Sequence, residues 1–286
     1  MTALASPGNA EQARRWNSEG GQRWITYRER HQASHRRLLP HLFGGAAISP
    51  GDRVLDVGCG CGETTIAAAQ AASAGSALGL DLSAPMLDVA RQLAAGAGVA
   101  NARFEQGDAQ VYPLSERSYD VVISKFGVLF FDDPSAAFAN LANAVRPGGR
   151  LAFLSWQDDE HNEVFGIPLN GFAAVGRLPD QPGQGLLFED PRQIAEVLSG
   201  AGWQDVRAEA VNEPALMGTD VDDVMTYMRG MRMVRELAAQ VADDAVTERA
   251  LAAMAELYAA RQRSDGVWVS AGTWLVTARR APGNPA

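Results

Sequence analysis

Between residues 50 and 157 short apolar runs alternate with stretches whose apolar residues recur at helical spacing. The runs at 53–57, 77–82, 119–124 and 150–156 are mainly apolar, the pattern of strands buried on both faces, and the more mixed 102–106 falls at the same spacing. Helical patterns at 64–74, 85–95 and 134–144 separate them, with a weaker helical stretch around Gln110. Strands and helices in this rhythm specify a parallel α/β sheet covered on both sides. Pro147-Gly148-Gly149 is a turn signal feeding the fifth strand.

The flanks read differently. Residues 9–43 carry helix signals at 11–16 and again at 22–39, broken by Gly20-Gly21 and ending near Pro40. Trp16, Trp24 and Tyr27 make this segment aromatic, which fits either packing against the main sheet or a lid over a ligand. Beyond Trp156 the glycine- and proline-rich stretch 158–185 reads as irregular chain beside the sheet's active edge. A helix at 191–199, a strand at 203–211, mainly helical chain at 221–262 and a last strand at 267–279 complete the pattern. The last two strands are expected to be sheet neighbours with a helical lobe inserted between them. In that lobe Val221, Val224, Met228, Met231 and Val234 recur at helical spacing beside Met225 and Met233, which suits a core, a cap over a pocket or a dimer contact.

Composition narrows the function classes. A chain of 286 residues with 47% hydrophobic residues can bury one core and carry an extra lobe, leaving 1–10 and 281–286 as loose ends. The formal net charge of −9 argues against nucleic acid as a partner, and the arginine-rich stretch 23–37 reads as the solvated face of a helix. Cys59 and Cys61 lie too close together, and are too few, for a disulfide framework or a metal cage, so no metal site is expected. No secretory pattern opens the sequence and no apolar run is long enough to span a bilayer, so the expectation is a cytoplasmic protein.

The candidate chemistry begins at Asp56-Val57-Gly58-Cys59-Gly60-Cys61-Gly62. Alternate glycines let the backbone turn sharply and approach a ligand, and the helix starting near Thr64 points free N–H groups at the turn. A dinucleotide fingerprint would need glycine at position 63, where Glu63 would face a pyrophosphate badly, so a nucleoside without phosphate fits better. Asp81 ends the second strand about twenty residues on, where such a sheet presents an acid to ribose hydroxyls. The competing role, capping the next helix, falls more naturally to Ser83. Asp108 follows the third strand in the same manner and could accept from an adenine amino group, with small Ala109 leaving room for the ring.

These elements together resemble the class I S-adenosylmethionine-dependent methyltransferases of small-molecule type. The glycine turn is similar to the family's first motif, and Gly79-Leu80-Asp81-Leu82-Ser83 with Met86 looks like its ribose motif. Gly107-Asp108-Ala109 is similar to the adenine motif, Tyr119–Ser124 to the fourth-strand motif, and Val145–Leu151 to the turn before the fifth strand. The resemblance covers residues 50–157 and speaks for the cofactor far more than for the acceptor. It implies a Rossmann-like methyltransferase sheet with N-terminal helices and a helical insertion before the last strand. The corresponding division is an N-terminal helical lid segment (1–49), a Rossmann-like cofactor-binding core (50–218), a helical insertion or cap (219–265) and a final strand with a loose tail (266–286).

Carried over to these positions, the resemblance implies that the backbone of Asp56, Gly58, Cys59 and Gly60 borders the methionine part of S-adenosyl-L-methionine, with Asp56 acting indirectly. Asp81 would hold the ribose, Leu82 and Met86 the adenine and ribose, and Asp108 and Ala109 the adenine edge. Ser124, Lys125 and Trp24 would reach the methionine end, and Phe126, Phe130 and Phe131 could shape an apolar acceptor site. Among the histidines, His161 and then His31 are the candidates for a base. The implied function is methyl transfer to a small molecule, in secondary or quinone-like metabolism. The alternatives are a protein or RNA methyltransferase, or a regulatory protein that binds the cofactor without transferring its methyl group. A homodimer stays open.

Overall fold

The computed structural model describes residues 5–176 and 188–281. Four short helices lead the chain: α1 (Ala10–Trp16), α2 (Glu19–Thr26), α3 (Arg28–His35) and α4 (Leu39–Ala46). Then β1 (Arg53–Val57), α5 (Glu63–Ala71), β2 (Ser76–Asp81), α6 (Ala84–Gly96), β3 (Ala102–Gln106), β4 (Tyr119–Lys125), α7 (Pro134–Ala144) and β5 (Val145–Trp156) build the alternating core. After α8 (Glu163–Ala173) and α9 (Pro191–Gly200), β6 (Trp203–Gly218) leads into α10 (Val221–Arg229), α11 (Arg232–Val241) and α12 (Asp244–Ala259). The two-residue β7 (Gln262–Arg263) and β8 (Gly266–Arg280) close the fold.

The sheet runs β3-β2-β1-β4-β5-β8-β6, with β7 hooked onto β8. Neighbours among β1 to β5 are parallel, whereas β8 is antiparallel to both β5 and β6. Strand order reverses between β1 and β4, so their carboxyl ends part to leave the crevice where such sheets bind ligands. Val54, Leu55, Val121, Val122 and Ile123 fill the centre with no appreciable exposure, as expected for strands covered on both faces. Side-chain caps set several helix starts. Ser83 Oγ accepts from Met86 N–H, and Asp133 and Asp190 cap α7 and α9, each followed by a proline in the first turn.

The β6–β8 ribbon decides where the insertion goes. β5 ends at Trp156, opposite Thr273, while β6 and β8 stay paired onward from Val211–Thr273 to Gly218–Val267. The ribbon therefore projects past the carboxyl edge of the parallel strands and carries α10 to α12 to the crevice end of the sheet. No helix among the described residues is long and apolar enough to cross a membrane.

The fold is the Rossmann-like sheet that the resemblance implies, with local differences. Gly20-Gly21 lie inside α2 because Gly21 packs on the preceding helix, where a Cβ would fall 2.0 Å from the Trp16 carbonyl oxygen. Pro40 sits in the first turn of α4, a position that needs no N–H, and so opens a helix where an ending was expected. The weak helical pattern around Gln110 is a turn, and β6 extends to Gly218, well past the expected end at 211. Within the stretch expected to be irregular, residues 163–173 form α8 despite Pro168, because Ile167 and Phe172 are buried and Asn162 caps its start; 177–185 lie outside the described residues. Residues 5–9 are anchored, with Asn9 buried and bonded to Asp108, while 1–4 and 282–286 lie outside the described residues.

Candidate active site

The turn after β1 is held from below and shaped by its glycines. The N–H groups of Gly58 and Cys59 both donate to Leu80 O, at 2.8 and 3.3 Å, locking the turn onto β2. Gly60 adopts φ +55°, and a Cβ there would lie 2.9 Å from Met86 Cε, within 3.8 Å of Trp24 Nε1. Only glycine meets both demands without strain. Its N–H donates 2.8 Å to Asp81 Oδ2, while Ser83 N–H donates 2.8 Å to Asp81 Oδ1. Burial pushes the Asp81 carboxyl up, and the backbone donors from Ser83, Gly60 and Leu82 hold it back.

Asp56 works beneath this surface. Thr64 and Thr65 donate to its Oδ2 at 2.5 and 2.6 Å, and Oδ1 is buried without a hydrogen-bond partner. Burial raises its pKa to about 6, against the pull of the two threonine hydroxyls and Lys125. Ser124 is likewise turned inward. Its hydroxyl donates 2.7 Å to Val57 O and accepts from Gly127 N–H, pinning β4 to β1 at the point where the crevice opens.

At the end of β3, Asp108 is already engaged. It accepts from Ser6 N–H at 2.9 Å, from Asn9 Nδ2 at 3.0 Å and from Gln110 N–H at 3.0 Å. A carboxylate offers about four acceptor directions, so one remains for a ligand donor. Asn9 and Gln110 in turn hold the Asp132 N–H, so the N-terminal segment, the loop after β3 and the loop before α7 are one bonded unit.

Above these strands lies a cavity of about 1110 Å³ roofed by α1 to α3, α10 and α11. Trp24, Gly58, Cys59, Gly60, Asp81, Leu82, Met86, Asp108, Ala109 and Lys125 all line it, whereas the side chains of Asp56 and Ser124 are packed beneath the wall. Trp24 stacks on His31 with centroids 4.0 Å apart, and Phe126 stacks on Trp156 at 4.0 Å. His35 lies against the second pair, 5.2 Å from Phe126 and 5.6 Å from Trp156. Lys125 is paired with Glu63 at the cavity wall.

Two sequence expectations change here. His161 stands outside the cavity, exposed and bonded to Asp158 at 2.6 Å, because the chain after β5 turns outward before α8 begins. The histidines in the cavity are His31 and His35, one helical turn apart on α3, and His35 was not singled out. Their i,i+4 spacing in an aromatic segment was the available signal. The arginines of 23–37 are also less solvated than their pattern suggests. Arg23 donates 3.0 Å to Tyr227 O, and Arg30 bonds Met217 O and Asp223, so both tie the N-terminal helices to the insertion.

Residues 54–149 match the family model described as a methyltransferase domain. An uncharacterised protein of Mycobacterium tuberculosis is 35% identical over 119 residues, 42% of this chain and 42% of that protein. The demethylmenaquinone methyltransferase of Lactiplantibacillus plantarum is 32% identical over 193 residues, covering 63% of this chain and 81% of the relative. The chain belongs to the class I S-adenosylmethionine-dependent methyltransferases. The fold agrees: the YcgJ protein of Bacillus subtilis superposes with a TM-score of 0.59 at 18% identity, over 87% of this chain and 100% of that one. The chain spans about two fifths of the length of the first curated relatives it matches.

Proposed function

We propose that this methyltransferase moves the methyl group of S-adenosylmethionine to a small-molecule acceptor held in the cavity, in quinone-like or secondary metabolism. The observation that carries the reading is the position of Asp81. It closes β2 at the cavity wall, and its carboxylate organises the Gly60 and Ser83 N–H groups while facing the space a ribose would occupy. Leu82 and Met86 would flank the adenine, Asp108 would use its remaining acceptor direction on the adenine amino group, and Ala109 would leave room for the ring. At the other end Trp24 lies over the Gly58–Gly60 turn. Lys125 and Glu63, opposite charges side by side, suit the carboxylate and ammonium of an amino acid. Asp56 and Ser124 support the turn from beneath.

The cofactor supplies an electrophilic methyl carbon on a sulfonium. The chain's own contribution is alignment and exclusion of water, through the aromatic roof of Trp16, Trp24 and Phe130 and the neighbouring Phe126–Trp156 stack. A small acceptor is favoured over nucleic acid because Arg23 and Arg30 are spent on the insertion rather than displayed as a track for phosphates. A reducing cytoplasm suits the two buried free cysteines. The relative named demethylmenaquinone methyltransferase supports a planar, quinone-like acceptor.

Calorimetry tests the cofactor site. S-adenosylmethionine and S-adenosylhomocysteine should bind and NADH should not. Asp81→Ala should weaken both sulfur ligands by about 10- to 100-fold, the worth of a hydrogen bond to a charged group. Preference for NADH, or binding indifferent to the substitution, would overturn the assignment.

A further inference from the structure

We propose that the acceptor binds as an oxyanion, a planar phenolate or enolate, and that neutral His31 and His35 donate hydrogen bonds to its oxygen. This rests on the methyltransferase reading above and adds the ionisation state of the acceptor and the residues that recognise it.

The first ground is geometric. His31 and His35 sit one turn apart on α3 with ring centroids 6.4 Å apart, and both line the cavity. No side-chain hydrogen bond from the described residues reaches either ring, and their neighbours are aromatic faces. Both residues are only half-buried, and the exposed part of each faces the cavity. Two imidazoles with unspent polar atoms therefore face one space. Flat walls flank it, with Trp24 stacked on His31 and the Phe126–Trp156 pair against His35. A planar ring fits such walls better than a branched aliphatic chain.

The second ground is charge. The cations acting on the imidazoles come from three elements. Lys125 ends β4 and pairs with Glu63, Arg30 on α3 itself pairs with Asp223 of α10, and among the described residues Arg23 on α2 bonds only the Tyr227 carbonyl and the faces of two tyrosines. Of these three cations Arg23 has no carboxylate partner among the described residues, and a bound sulfonium adds another positive charge. Burial, reinforced by Lys125, Arg23 and Arg30, lowers the His31 pKa to about 4. Burial, Lys125 and His31 push His35 well below the ordinary range. Imidazoles held neutral so firmly are poor acceptors for a phenolic proton, which sets aside a general-base role. A neutral imidazole still carries one N–H, and that donor is strongest toward an anion. The same positive surroundings favour an oxyanion and oppose an ammonium. The hydroxyl proton is accordingly lost to solvent before or during binding. The oxyanion's electron pair then forms the O–C bond, or through the conjugated carbon the C–C bond, as the carbon–sulfur bond breaks, leaving a neutral thioether; a phenolate methylated on carbon afterwards loses its ring proton to solvent.

The test uses 4-nitrophenol, whose ionised form has its own visible absorption, titrated with pH in the full-length protein with and without saturating S-adenosylhomocysteine. The bound probe is expected to ionise at least one pH unit lower than the free probe, corresponding to at least tenfold preference for the anion. His35→Ala and His31→Ala should each take away a large part of that shift. His35→Asn, which keeps a neutral donor, should retain more of it than His35→Ala. An aliphatic amine of similar size should bind at least tenfold more weakly. A bound probe that ionises at or above its free pH, a shift untouched by both alanine variants, failure of the probe to bind, or tighter binding of the amine would each overturn the proposal. S-adenosylhomocysteine binding, measured on every variant by calorimetry, separates the two readings. If it fails, the cofactor site is wrong, and the ionisation of the probe is still read in the cofactor-free protein.

Discussion

Asp56 pays a desolvation cost that a neutral residue would avoid, and the sign of its pH dependence follows from that. Its carboxyl is raised by burial to about 6 in the folded chain, above the usual carboxylate range of the unfolded one. The native state therefore holds an extra proton between those values, and stability falls as pH rises through that window. Above about pH 6 the cost is fully expressed, at about 2–3 kcal/mol. Asp56→Asn keeps an oxygen for the Thr64 and Thr65 hydroxyls and removes the charge. Urea unfolding should show the variant more stable than the wild type at pH 7.5, with the gap shrinking toward pH 4; a gap independent of pH would contradict the raised carboxyl. That Asp56 is structural follows the sequence reading. Its orphaned Oδ1 could not be foreseen, because it depends on which side of the carboxylate the two threonines occupy.

The N-terminal helices act as one element because the insertion holds them. Arg30 bonds both Met217 O and Asp223, and Arg23 reaches Tyr227 O across 204 positions of sequence. Helical periodicity in 9–43 announced these helices, but periodicity is local and says nothing about a partner so far along the chain. For that reason the arginines read as solvated. The strands suffered no such ambiguity, since a continuous apolar run such as 121–123 has few other places to go. α8 was hidden for the opposite reason, with Gly166, Pro168 and Gly171 lowering its helical signal while burial in the folded chain restores it. Arg30→Ala leaves Asp223 bonded to Thr219 N–H, so its effect should stay within the lid. Hydrogen exchange in α1 to α3 should speed by about 10- to 100-fold, as for a subglobal opening eased by 1–3 kcal/mol, while β1 to β5 keep their protection. Equal acceleration through the sheet would show that the lid and core unfold together.

At the scale of the whole molecule, the cavity joins three parts of the chain that are far apart in sequence: the turn of the parallel sheet, the N-terminal helices and the lobe carried past the sheet edge by β6 and β8. The sheet side of this cavity could be read from motifs because each lies at the carboxyl end of a strand, where the fold brings them together regardless of the rest. On the roof side His31, Phe126, Phe130 and Phe131 were also named from the sequence and line the cavity, but the part from α10 and α11 could not be placed, since it depends on how far the β6–β8 ribbon projects. A ligand that touches only the sheet should therefore stabilise less of the molecule than one bridging sheet and roof. S-adenosylhomocysteine at one hundred times its Kd adds about 2.7 kcal/mol by mass action, which for a chain of this size raises Tm by about 5 °C. If Trp24 and the roof close over the ligand, the same addition should also slow exchange in α2 and α3, and Trp24→Ala should abolish that local protection while leaving the protection of β1 and β2. Thermal scans and exchange, run side by side on the two proteins, distinguish a roof that binds from one that only covers. Protection confined to the sheet in the wild type would detach the N-terminal helices from cofactor binding and leave them the acceptor alone.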